Sequence, residues 1–158
     1  MMMQATEADV RREVTVNASP ERAFAFFTER FDAWWPRGHH IGEAKLLEAI
    51  IEPRQGGRWY ERDAGGGECD WGQVLAWDPP HRLLLSWQLD GEFAYDPDPA
   101  RATEVEVTFT PAGDGTRVEL VHRGFERAAM GDALRRGVSA EGGWGGLLEL
   151  YAEALGSS

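Results

Sequence analysis

The chain has one cysteine, Cys69, so no internal disulfide can form. It has one lysine, Lys45, and a formal net charge of -11. That shortage of positive charge excludes nucleic acid as an expected partner, because binding it depends on Lys and Arg neutralising phosphates. It disfavours anionic membrane surfaces for the same reason. No apolar run approaches the length needed to span a bilayer. The stretch from Met1 to Glu7 lacks the basic and apolar blocks of a secretory signal, so a cytoplasmic location is expected. The glycine-rich stretches Gly65-Gly66-Gly67 and Gly142 to Gly146 do not match a phosphate-binding loop. No Cys, His and carboxylate spacing completes a zinc set. Neither a cofactor nor a metal is expected.

What is present is aromatic. Seven Trp and seven Phe stand in 158 residues, which are most simply one domain, 1–158. A chain of this length buries roughly 70% of its extended surface. Aromatic rings fill large volumes with few atoms that need hydrogen bonds, so they suit a thick core and a lined pocket equally. The last stretch carries the clearest pattern. Trp144, Leu147, Leu148, Tyr151 and Leu155 recur at helical spacing and predict a helix from about Ser139 to Leu155, with Ser139 as N-cap. Four glycines at its head cost helix stability. They imply close approach of a sheet or a ligand to the backbone.

Upstream, Val10 to Val16 reads as a strand, and Ser19-Pro20 as the start of a helix bearing Ala23, Phe24, Phe27 and Phe31. Asp32 to Pro36 forms a second short helical turn. About six strands follow. They cover Ala44–Glu52, Arg58–Asp63, a segment in which Trp71, Gln73, Leu75 and Trp77 alternate, one in which Leu83, Leu85, Trp87 and Leu89 alternate, Thr103–Thr110, and a last strand carrying Val118, Leu120 and His122 on one face. Asp90–Arg101 reads as a wide polar loop, and Phe125–Val138 as irregular with one helical turn. Sequential hairpins with helices at both ends predict an α+β protein built on an antiparallel sheet.

This order, with Val14-Thr15-Val16-Asn17-Ala18-Ser19-Pro20-Glu21-Arg22-Ala23-Phe24, Phe31-Asp32-Ala33-Trp34-Trp35-Pro36, Glu52 to Glu61, Trp71 to Leu83, Thr103 to Phe109 and Gly143-Trp144 through Leu155, resembles the helix-grip fold of the START and Bet v 1-like superfamily. Within it the chain looks like the single-domain bacterial branch of the Hsp90-ATPase-activator homologue family. The resemblance covers about residues 10–155. It implies a curved antiparallel sheet gripping a long C-terminal helix, with a hydrophobic cavity between them. Relatives in the superfamily bind lipids, sterols, hormones or polyketide intermediates, and a few are cyclases or hydrolases. The chaperone-stimulating members carry a further N-terminal domain for which this chain has no room, so that role is not carried over.

The candidate ligand-binding residues are Trp34, Trp35, Trp59, Trp71, Gln73, Trp87, Phe109, His122, Trp144, Leu148 and Tyr151. Trp71, Trp87 and Phe109 are expected to face the helix, and Trp144, Leu148 and Tyr151 to face them. Packing of a filled core explains any single ring as well. His122 could serve as a general base, and a satisfied buried histidine is the plainer account. Gln73, sharing the Trp71 face, could orient a polar group. His39-His40 are expected at the rim of the cavity, with an entrance near Trp34-Trp35 and the Asp90–Arg101 loop. If Trp59 faces inward so does Glu61, which would then need a partner; Arg58 could meet an acidic ligand only in the opposite register.

Three readings follow. The first is binding of a small apolar or amphipathic molecule, the second a cyclase- or hydrolase-type enzyme with His122 as base, the third a protein-interaction module. A homodimer is left open.

Overall fold

The computed structural model describes residues 9–157. The stretch from Met1 to Glu7 lies outside the described residues. The chain opens with strand β1 (Val10–Val16), then helices α1 (Pro20–Glu29) and α2 (Phe31–Trp34). Strands β2 (Leu46–Ile51), β3 (Arg58–Asp63), β4 (Glu68–Asp78), β5 (Arg82–Trp87), β6 (Thr103–Ala112) and β7 (Gly115–Arg123) follow, and helices α3 (Gly131–Ser139) and α4 (Trp144–Gly156) close the chain. All seven strands pair antiparallel in the order β1-β7-β6-β5-β4-β3-β2. The sheet curls into a half-barrel around α4, which makes this an α+β helix-grip fold.

Local chemistry explains the elements. Ser19 caps α1 by accepting a hydrogen bond from the Arg22 amide at 3.2 Å, and Pro20 occupies the first helical turn. Ala23, Phe24 and Phe27 are buried on the sheet side of α1. Strict alternation along β6 buries Val105, Val107 and Phe109, while β7 buries Val118, Leu120 and His122, the last against Trp144 of α4. α4 buries Trp144, Leu147, Leu148, Tyr151 and Leu155. The Tyr151 hydroxyl donates to the Ala23 carbonyl at 2.7 Å and ties α4 to α1. Burial pushes its phenol pKa up.

Two expectations give way here. The segment read as irregular contains a nine-residue helix, α3, and Ser139 is its last residue, not the N-cap of the closing helix. Gly143 takes that position without a side-chain cap. The Ser139 hydroxyl instead bonds back to the Arg135 carbonyl at 2.7 Å, a common end-of-helix contact. The glycine cluster does mark close backbone approach, but the approaching group is the end of α3. A Cβ on Gly143 would lie 2.0 Å from the Val138 carbonyl oxygen, so only glycine lets the chain turn back so tightly.

The second concerns β4. Trp71, Gln73, Leu75 and Trp77 do not share a face. The β3–β4 register skips Trp71, and the β4–β5 register skips Leu75, so two bulges shift the phase. Trp71 and Val74 point inward, whereas Gln73 and Leu75 are exposed on the outer side. At the first bulge Gly72 crosses so close to β5 that a Cβ would sit 1.9 Å from the Ser86 carbonyl oxygen. The Ser86 hydroxyl accepts the Gln73 amide at 2.8 Å in place of a ladder carbonyl.

Candidate functional site

The concave face of the sheet holds two aromatic zones with different packing. The first is filled. Phe27 lies 5.0 Å from Trp34, 5.2 Å from Tyr151 and 5.9 Å from Phe109, measured between ring centroids, mostly edge to face. Trp34, Phe109, Leu148 and Tyr151 are all buried in this zone. These four candidates pack as core and do not line the cavity beside them.

The second zone encloses a cavity of about 330 Å³ beside the first turn of α4. Four indoles wall it: Trp35 at the end of α2, Trp71 on β4, Trp87 on β5 and Trp144 on α4. Trp35 and Trp71 are 5.2 Å apart, and Trp87 and Trp144 are 5.6 Å apart. Leu89, Val138 and Leu147 complete the apolar lining. Trp59 stands behind this wall, fully buried, 5.5 Å from both Trp71 and Trp87. Its indole N–H and that of Trp87 have no oxygen or nitrogen partner.

The rim is the connection between α2 and β2, which contributes Gly38, His39, His40 and Ile41. This loop has no regular structure and is held by side chains. Trp35 donates its indole N–H to the His39 carbonyl at 2.8 Å. Glu61 is fully buried on β3 and faces inward with Trp59, which settles the register against Arg58; the latter pairs with Asp70 and Glu68 on the other side. One Glu61 carboxylate oxygen accepts the Ile41 amide at 2.7 Å and the Trp71 indole N–H at 2.8 Å, and the other accepts the Gly42 amide at 3.0 Å. The cost of burying a carboxylate is offset by three donors, and the contact joins the rim loop to the cavity wall.

The opposite rim is Phe93, in the loop after β5. Its φ of +61° is a left-handed conformation that bulky residues rarely adopt. An Asx turn holds it, with the Asp90 carboxylate accepting the Glu92 and Ala94 amides at 2.8 and 3.1 Å. The ring lies against Gly137 of α3 and 6.4 Å from Trp87.

His122 is fully buried under Trp144 and does not line the cavity. Its Nδ1 accepts the Trp144 indole N–H at 3.0 Å, so Nδ1 carries no proton. Its Nε2 therefore bears the hydrogen and donates to the Thr103 hydroxyl at 2.7 Å. Thr103 passes the bond on to the Trp87 carbonyl at 3.3 Å. Burial pushes the His122 pKa down to about 3. With both ring nitrogens hydrogen-bonded and the ring outside the cavity lining, His122 has the environment of a satisfied buried histidine. Gln73 is corrected likewise, because the bulge turns it to the outer face. Burial, then the nearby Glu61, Asp63 and Asp70, push the Cys69 thiol pKa up, which argues against a nucleophile. Among the described residues, no three His, Cys, Asp or Glu side chains gather into a metal-binding group. No helix among them is long and apolar enough to cross a membrane.

Of the eleven candidates, the cavity therefore brings together Trp35, Trp71, Trp87 and Trp144. Sequence reasoning missed Phe93, Val138 and Leu147 as lining. Leu147 was legible from its helical stripe. Phe93 lay in a polar loop, and Val138 in a segment read as irregular.

A curled antiparallel sheet, a gripped terminal helix and an aromatic cavity at the head of that helix define the class: a helix-grip protein with a cavity between sheet and helix. The model of the Activator of Hsp90 ATPase homolog 1-like protein family matches residues 17–156, and the chain belongs to that family. No curated protein sequence matches it. Among solved structures, an anthrahydroquino-γ-pyrone synthase, Txn09, determined in a complex, is 40% identical, with 92% of this chain and 96% of that one covered at a TM-score of 0.65. The self-sacrificing resistance protein CalC from Micromonospora echinospora is 31% identical, with 94% of each chain covered at a TM-score of 0.68. Protein NE0264 from Nitrosomonas europaea shares the fold at 16% identity, with 98% of this chain and 99% of that one covered and a TM-score of 0.68.

Proposed function

We propose that this protein binds a small, flat, largely aromatic molecule in the cavity between the sheet and the head of α4. The observation that carries the reading is the open volume of about 330 Å³ walled by four indoles, in a domain whose other aromatic zone is packed solid. A void of this size falls within the range of small-molecule sites, and apolar walls with few polar groups are their usual make-up. Similarity to Txn09, whose name describes work on a fused aromatic compound, favours a planar ligand over a flexible lipid.

The same similarity supports a second reading, that the bound molecule is cyclised. In that case the acid–base groups would come from His39 and His40, which line the cavity, and not from His122.

The test is a titration with 2-methoxyanthraquinone followed by quenching of tryptophan fluorescence. Wild type should bind with a Kd on the order of micromolar. Val138→Phe fills the cavity from α3, and Gly142→Phe adds a ring where a Cβ meets nothing within 4 Å. Both variants should lose quenching at least ten-fold while circular dichroism stays unchanged. Equal binding by wild type and both folded variants would rule out this cavity as the site.

A further inference from the structure

The lining of the cavity contains two titratable side chains among the described residues, His39 and His40, and they stand side by side on the rim. Each has one ring nitrogen already assigned. His39 Nε2 lies 3.1 Å from the Gly142 carbonyl oxygen, and His40 Nδ1 lies 2.8 Å from the Gly42 carbonyl oxygen. A carbonyl oxygen only accepts, so both nitrogens carry hydrogen. The other nitrogen of each neutral ring, Nδ1 of His39 and Nε2 of His40, is then a lone-pair acceptor.

The rings are also held in place. His39 packs edge-on against Trp35 at 5.8 Å, and its own carbonyl accepts the Trp35 indole N–H. The next two amides, of Ile41 and Gly42, are pinned by the Glu61 carboxylate. Ordering two imidazoles at a cavity mouth by their neighbours lowers the entropy cost of using them for recognition.

These facts narrow the chemistry of the guest. Among the described residues, no Lys, Arg, Asp or Glu side chain lines the cavity, so they offer no fixed charge to a permanent anion or cation. Its rim instead offers two imidazole nitrogens beside an apolar chamber. Resting on the ligand-binding reading above, we propose that His39 and His40 receive an acidic hydroxyl, a phenol or enol, carried at one end of a planar aromatic ligand. The hydroxyl donates to an imidazole nitrogen, and the ring system lies among Trp35, Trp71, Trp87 and Trp144. The same contact allows the proton to pass to the imidazole as the hydroxyl becomes more acidic, with the oxygen keeping the electron pair.

The experiment compares 2-hydroxyanthraquinone with its methyl ether, 2-methoxyanthraquinone, which has the same ring system but no donor. Kd is measured by fluorescence quenching for wild type, His39→Ala, His40→Ala, the double variant and Val138→Phe. Wild type should bind the phenol about five- to ten-fold more tightly than the ether, the worth of one hydrogen bond at a partly exposed site. The double variant should bring that ratio near one, with the loss of affinity falling on the phenol more than on the ether. Loss of both probes together in the histidine variants would mean a displaced loop and no hydroxyl recognition, which overturns the inference. A wild-type ratio below about two, or a ratio retained in the double variant, overturns it as well. Val138→Phe separates the two levels: if it abolishes ether binding while the histidines leave the ratio untouched, the cavity stands and the hydroxyl assignment falls.

Discussion

Acidification from pH 7 to pH 5 should destabilise this protein through His122. In the folded chain the ring is fully buried and its pKa is pushed down to about 3. In the unfolded chain it titrates near 6.5. Between these values the unfolded chain holds a proton that the folded chain does not, so stability falls as pH falls. Above 6.5 both states are neutral and the effect vanishes. Integrated from pH 7 to pH 5, the loss is about 2 kcal/mol. The matched perturbation is His122→Asn, whose side-chain oxygen can take the Nδ1 position and accept the Trp144 indole N–H. It forgoes the bond to Thr103 and should cost about 1–3 kcal/mol at pH 7. The assay is urea denaturation at both pH values, read by tryptophan fluorescence. Carboxylates contribute alike to both proteins, so the difference in their pH-dependent losses isolates the histidine. The variant should lose about 2 kcal/mol less than wild type between the two pH values. Equal losses would show that His122 carries its proton in the folded state and would refute the tautomer derived from Trp144 and Thr103.

Two further outcomes are expected. Gly72→Ala places a methyl 1.9 Å from a backbone oxygen of β5, which no rotamer can relieve, so it should cost about 3 kcal/mol or more and lower the urea midpoint accordingly; a midpoint like wild type would mean that the β4 bulge is not fixed as described. Phe93→Asn should leave stability within about 1 kcal/mol of wild type, because asparagine tolerates the left-handed conformation and offsets the lost ring contacts. A loss beyond about 2 kcal/mol in the same melts would show that Phe93 acts as core and not as a strained rim.

The fold was readable where one physical rule acted alone. Alternation along β6 and β7 buries the residues it selects, and the stripe on α4 buries Trp144 through Leu155. It was unreadable where two strands negotiate a bulge. Nothing in the order Trp71, Gly72, Gln73 announces that the register slips, except the glycine itself, whose close approach to Ser86 is a property of two segments. Gln73 was therefore assigned to the wrong face. Alternation puts His122 on the inner face of β7, but its partners, Thr103 and Trp144, come from 19 and 22 residues away, and only their joint geometry settles its proton. The helical α3 escaped because arginines and glycine obscure its two buried residues, Leu134 and Val138.

The carboxylate of Glu61 has a consequence for how such a site is mapped. It is not part of the cavity lining, yet a wall of the chamber and the threshold to it both hang from its two oxygens. Swapping the visible lining one residue at a time would pass over it, while its loss would let a tryptophan and the histidine-bearing loop drift together. Changes there would surface as an altered chamber shape some distance from the substituted residue, and an engineer reshaping this chamber would do best to keep that anchor untouched.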